Sequence, residues 1–147
     1  MIKPASILLV EDNPMDVELI VDAFKEARLG NKIQVVRNGK EALEFMFGEG
    51  KYSDRNQYPL PDIILLDLKM PGIDGHEVLK TIKETEKLKR LPVIILTSSR
   101  DEGDRAMSYD NGANSYLVKP VSFGEFLEVV KKVSDYWLTL NVEPPME

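Results

Sequence analysis

The chain has 147 residues, a formal net charge of -6, and 43% apolar against 30% charged residues; that balance supports one buried core and excludes disordered and fibrous classes. The acidic surface repels phosphate backbones and anionic lipid, so neither nucleic acid nor membrane is expected as a partner. The absence of cysteine removes disulfides, thiolate metal sites and cysteine nucleophiles, while the lack of a ~20-residue apolar run and of a signal-like start at Met1-Ile2-Lys3-Pro4 points to a cytoplasmic protein.

In chain order, the first strand is expected at Ile7-Leu-Leu-Val10, followed by a helix with Asn13 as N-cap, Pro14 as first residue, a stripe of Leu19, Ile20, Ala23, Phe24 and Ala27, and Gly30 just past its end. The second strand, Ile33-Gln-Val-Val36, leads to a helix opened by Asn38-Gly39 and running to about Phe47. Residues 48–61 are the one long polar stretch and read as a surface loop. A third strand at Ile63-Ile-Leu-Leu66 precedes a helix from Gly75 to Glu84, and a fourth at Val93-Ile-Ile-Leu96 precedes a weaker, more polar helix from about Glu102 to Asn111. The last strand, Tyr116-Leu-Val118, is followed by a helix opening on the capping box Ser122-Phe-Gly-Glu125 and reaching about Leu140, with 141–147 as a frayed tail. Five repeats of strand then helix, three of the strands apolar throughout, require a doubly wound α/β fold with helices on both faces of a parallel sheet. The whole chain, 1–147, is expected to form one domain with its core at about 5–140.

In such a sheet, ligands bind beyond the carboxyl ends of the strands. Glu11 and Asp12 follow the first strand, Asp67 the third, Thr97 the fourth and Lys119 the fifth, whereas the second ends in Arg37-Asn38-Gly39 and offers no comparable group. Taken alone, each has an ordinary explanation, such as a helix cap, a strand terminus or a solvated lysine. Together they place three mutually repelling carboxylates near one ammonium and one hydroxyl. Hard oxygen ligands favour Mg²⁺, and with Lys119 and Thr97 to neutralise phosphoryl oxygens the set suits phosphoryl transfer to a carboxylate, Asp67 being the candidate nucleophile on the central strand. His76, at the start of the third helix, reads as an exposed polar residue, Asp74 as a capping acid, and Lys131-Lys132 as a solvated helix face.

The residues Glu11-Asp12, Leu66-Asp67 with Met70-Pro71-Gly72 and Asp74-Gly75, Leu96-Thr97-Ser98 and Lys119-Pro120 resemble the signature of a CheY-like receiver domain of two-component response regulators, over about residues 5 to 135. The resemblance implies a flavodoxin-like sheet of order 2-1-3-4-5, a phosphoryl group accepted on Asp67 from a sensor histidine kinase, and Mg²⁺ held by Asp12, by Glu11 through water, by Asp67 and by the Lys69 main-chain carbonyl. It further implies that Thr97 and Lys119 contact the phosphoryl group, that Tyr116 is the aromatic switch residue paired with Thr97, and that the Lys119–Pro120 bond is cis. Ser98 stands where the family often has alanine, a small change beside the phosphate. The long 48–61 loop and the overrun of the last helix are similar to the small regulators that serve bacterial phytochrome kinases. In that overrun, Tyr136, Trp137 and Leu140 are expected to project into a kinase-docking or homodimer face.

The competing functions differ in the residues they require. A Mg²⁺-dependent phosphatase with an aspartyl nucleophile looks for Asp-x-Asp after the first strand, where this chain has Glu11-Asp12-Asn13-Pro14. A docking module that is never phosphorylated lacks part of the acid, threonine and lysine set, which is complete here. Nucleotide or flavin binding calls for a glycine-rich first loop, which is absent. No output domain is expected beyond Leu140, and the chain is expected to catalyse nothing but its own phosphorylation and dephosphorylation.

Overall fold

The structure, a computed structural model, describes residues 6–27, 32–119 and 122–133. Five strands, β1 (Ile7–Val10), β2 (Ile33–Val36), β3 (Ile63–Leu66), β4 (Val93–Thr97) and β5 (Ser115–Val118), alternate with helices α1 (Pro14–Glu26), α2 (Gly39–Phe47), α3 (Gly75–Glu84), α4 (Glu102–Asp110) and α5 (Phe123–Val133). All strand pairs are parallel and the order is β2-β1-β3-β4-β5, the flavodoxin-like arrangement that the receiver resemblance implies.

The continuous apolar runs conceal a period of two. Leu8, Val10, Ile64, Leu66, Val93 and Ile95 face one core with Ala42, Phe45, Val78, Leu79 and Ile82 of α2 and α3. Ile7, Leu9, Ile63, Leu65, Ile94 and Leu96 face the other with Ile20, Phe24, Phe126 and Val130 of α1 and α5. Both faces of the central strands are therefore dry, which is why alternation with polar residues is missing from the sequence.

Helix starts are fixed by side-chain caps that satisfy first-turn amides. Asn13 accepts from Met15 and Asp16, Asn38 from Glu41, Asp74 from Glu77, and Asp101 from Gly103 and Asp104. Asp74 is thus the capping acid expected. Ser122 accepts from the Glu125 amide at 3.2 Å, and the Glu125 carboxylate takes the serine hydroxyl at 3.1 Å. Lys131 and Lys132 are exposed, as expected of a solvated face.

Some boundaries depart from expectation. Thr97 is the last residue of β4 rather than the first beyond it, and β5 begins one residue earlier, at Ser115. The 48–61 segment is less of a surface loop than its polarity suggests. A 3₁₀ turn at Gly50–Tyr52 buries Tyr52 to 3% exposure, where its ring lies 4.9 Å from Phe45 and 5.0 Å from Tyr58. Arg55 reaches back with Nη1 to the carbonyls of Phe45 and Tyr58 and Nη2 to that of Met46, at 2.8, 3.1 and 2.8 Å. The guanidinium adds to a backbone cap already present, in which Gly48 N donates to Phe45 O at 3.2 Å and Glu49 N to Glu44 O at 2.9 Å, and brings a donor to the Met46 carbonyl. The expectations for Gly30, for the Lys119–Pro120 bond and for Tyr136, Trp137 and Leu140 concern residues outside the described set.

Candidate functional site at the carboxyl end of the sheet

Strand register delivers the site. Val10 pairs with Leu66, and the next amides continue the ladder, Asp67 N donating to Val10 O at 3.1 Å and Glu11 N to Val36 O at 3.0 Å, so Glu11 and Asp67 emerge side by side. Across β4 and β5, Thr97 pairs with Val118, and the Lys119 amide donates to Thr97 O at 2.6 Å. The β3–α3 turn is pressed close to this edge: a Cβ on Gly75 would lie 2.3 Å from Asp67 O and 2.6 Å from Leu68 Cα. Only glycine fits there.

Carboxylate oxygens of Glu11, Asp12 and Asp67 lie within 4.8 Å of one another. Glu11 and Asp67 are buried, Asp12 is half-buried and Thr97 is fully enclosed. The Lys119 ammonium, its side chain 8% exposed, forms ion pairs with Glu11, with Asp67 Oδ2 at 3.3 Å and with Asp16 Oδ2 at 2.9 Å. The strand-end pattern had identified all of these except Asp16, which comes from the first turn of α1.

Burial pushes the Glu11 carboxyl up to about 7, against the pull of its hydrogen bond to Lys119, and repulsion from Asp67 adds to the rise. Burial alone pushes the Lys119 ammonium down, but hydrogen bonds to Glu11 and Asp16 and the charge of Asp67 reverse this and hold it above the ordinary lysine range. Three carboxylates thus share one fixed cation, and Asp12 stands beside two of them as a further acid. The excess negative charge, carried by hard oxygen donors, suits a divalent ion such as Mg²⁺.

A second polar group borders the site. Asp104 of α4 accepts from Ser99 Oγ at 2.6 Å and pairs with Lys69 Nζ at 3.0 Å and His76 Nε2 at 3.2 Å; the Ser99 hydroxyl first, and Lys69 after it, hold the Asp104 carboxyl down to about 2. His76 is therefore not the exposed residue expected. Its side chain is 14% exposed, and its Nδ1 is buried without a hydrogen-bond partner. Tyr116 is half-buried against the α2–α3 core, and its hydroxyl donates to Ser99 O at 3.0 Å. Ser98 is exposed.

The model of the response regulator receiver domain matches residues 7–131. The chain belongs to that family. A "Probable methanogenesis regulatory protein FilR2" of Methanothrix harundinacea (strain 6Ac) is 40% identical over 96% of this chain and 88% of its own. The response regulator Rcp1 of Synechocystis sp. (strain ATCC 27184 / PCC 6803 / Kazusa) is 37% identical over 92% of this chain and 90% of its own, and a crystal structure of the Mn²⁺-bound form of a response regulator Rcp1 superposes with a TM-score of 0.86, at 36% identity and covering 97% of this chain and 100% of that one. The phosphorylated cyanobacterial phytochrome response regulator RcpA gives 0.90 at 37% identity, over 97% of this chain and 100% of that one. This receiver is accordingly a response regulator of two-component signalling, a family whose members bind divalent metal and in general signal rather than turn over substrates. No helix among the described residues is long and apolar enough to cross a membrane.

Proposed function

We propose that this receiver acts as a stand-alone, single-domain regulator in the cytoplasm, taking a phosphoryl group on Asp67 from a sensor histidine kinase in a Mg²⁺-dependent step and signalling through changed affinity for a protein partner. The observation that carries the reading is the gathering of Glu11, Asp12 and Asp67 oxygens within 4.8 Å with the Lys119 ammonium 3.3 Å from Asp67 Oδ2. An oxygen of the Asp67 carboxylate attacks phosphorus, a P–O bond forms, the P–N bond to the donor histidine breaks, and the bonding pair leaves on the imidazole nitrogen, which regains a proton from solvent. Asp12, Asp67, the Lys69 main-chain carbonyl and, through water, Glu11 are the groups that would hold Mg²⁺. When bound, the ion supplies positive charge against the phosphoryl oxygens. Lys119 supplies a second, fixed charge, and the Thr97 hydroxyl a hydrogen bond to the transferred group.

Thr97 and Tyr116 form the proposed switch, Thr97 moving toward the phosphoryl group and Tyr116 adjusting behind it. Similarity to RcpA, a phytochrome response regulator, supports a phytochrome as the donor kinase. Self-association through Tyr136, Trp137 and Leu140 belongs to the same proposal. In the test, the protein is incubated with Mg²⁺ and acetyl phosphate and its intact mass recorded. A gain of about 80 Da, one phosphoryl group, is expected for wild type and not for Asp67→Asn; an equal gain in the variant overturns the assignment.

A further inference from the structure

Nothing in the strand-end pattern marks Asp16, yet it holds one of three carboxylate contacts to the Lys119 ammonium. An ammonium has three N–H donors, and here Glu11, Asp16 and Asp67 take all three. The three acceptors are not equivalent. Glu11 and Asp67 also belong to the carboxylate cluster that could hold a cation, whereas Asp16 does not. Asp16 also stands on a separate, firmly placed element. Its amide is held at 3.3 Å by the Asn13 cap, and Asn13 is itself tied to Glu11 through an amide hydrogen bond of 3.1 Å. Its side chain is 24% exposed, against 8% for Lys119, so it meets the ammonium from the solvent side of the site.

The consequence is competition for one charge. Without Asp16, an ammonium shut off from water would settle its third donor on Glu11 or Asp67, the oxygens a divalent ion needs. With Asp16, part of that charge is drawn toward α1. We propose that Asp16 is a positioning residue, anchoring Lys119 on the α1 side of the site and so keeping Glu11 and Asp67 open to the divalent cation. This rests on the reading of Glu11, Asp12 and Asp67 as the cation site. A structural alternative makes Asp16 merely an acid in the first turn of α1, favourable to the helix dipole; that role would change stability alone.

Calorimetric titration of Mg²⁺ into the full chain separates these. Asp16→Ala should raise the Mg²⁺ Kd by roughly three- to tenfold, the size of one partly screened charge interaction. Asp16→Asn, which keeps an oxygen acceptor for Lys119, should raise it less. Lys119→Met should tighten binding, and Asp16→Ala on that background should change Kd by less than about twofold, because coupled residues are non-additive. Thermal melting of each variant identifies any that fails to fold, and Asp16→Asn, isosteric with the native residue, keeps the test open in that event. Unaltered binding in both Asp16 variants, or an equal effect with and without Lys119, overturns the proposal. If wild type takes up no Mg²⁺, or Asp67→Asn binds it as tightly as wild type, the cation-site reading itself fails, and the proposal with it.

Discussion

Lys83 shows how a single side chain can tie α3 to the segments that lead into β4 and β5 at a cost. Its Nζ donates to Lys89 O at 3.1 Å, Leu91 O at 2.7 Å and Asn114 Oδ1 at 3.1 Å, and burial pushes its pKa from 10.5 down to about 8. Because the folded value is the lower one, the unfolded chain holds more protons between pH 8 and 10.5, and stability rises with pH across that window. The ceiling is about 3 kcal/mol, reduced to about 1 by the three oxygen acceptors and partial contact with water. Urea denaturation at pH 7.5 and 10 should show this gain in wild type and not in Lys83→Met. Thr97 is a second residue with a separable role: Thr97→Ala should still take up phosphate on Asp67 but lose the accompanying NMR shifts at Tyr116. Contacts of 1.5 to 3 kcal/mol each approach the ~5.5 kcal/mol of a full population shift only when two or three of them discriminate between states. Shifts equal to wild type would remove the threonine from the coupling.

Elements are joined here by side chains from distant parts of the chain, and those are what the sequence conceals. Asp104 links α4 to the β3–α3 loop through Lys69, to α3 through His76 and to the β4–α4 loop through Ser99. In Asp104→Ala, His76 would lose its Nε2 partner while Nδ1 already has none, so a loss of about 2–3 kcal/mol in urea denaturation is expected. Arg55→Ala should cost about 2 kcal/mol, since the carbonyls of Phe45, Met46 and Tyr58 lose a charged donor, with faster amide exchange at the end of α2 as its local sign. The three inner strands are legible as short β-branched and leucine runs, buried on both faces, that alternate with helical stretches, and four helix starts are marked by Asn13, Asn38, Asp74 and Ser122. The burial of Tyr52 is hidden because it rests on ring contacts with Phe45 and Tyr58 inside and beside a polar segment without a period, and that of His76 because its partner lies 28 residues away. Asp16 carries no strand-end signal, because it stands in the first turn of the adjoining helix.

At the scale of the whole molecule, the fold brings residues from four distant segments to one end of the sheet, as a parallel, doubly wound topology does with short connections. Most of the site was therefore readable once the five strands were placed in order. The central claim is that Asp67, and no neighbouring acid, takes the phosphoryl group. Phosphorylation by acetyl phosphate with Mg²⁺, reduction of the acyl phosphate with borohydride and peptide sequencing by mass spectrometry test it directly, because reduction converts a phosphorylated aspartate to homoserine. Homoserine is expected at position 67 alone, and only when Mg²⁺ is present during phosphorylation. Homoserine at position 12 or 16, or none at 67 in protein that has gained the phosphoryl mass, would contradict it.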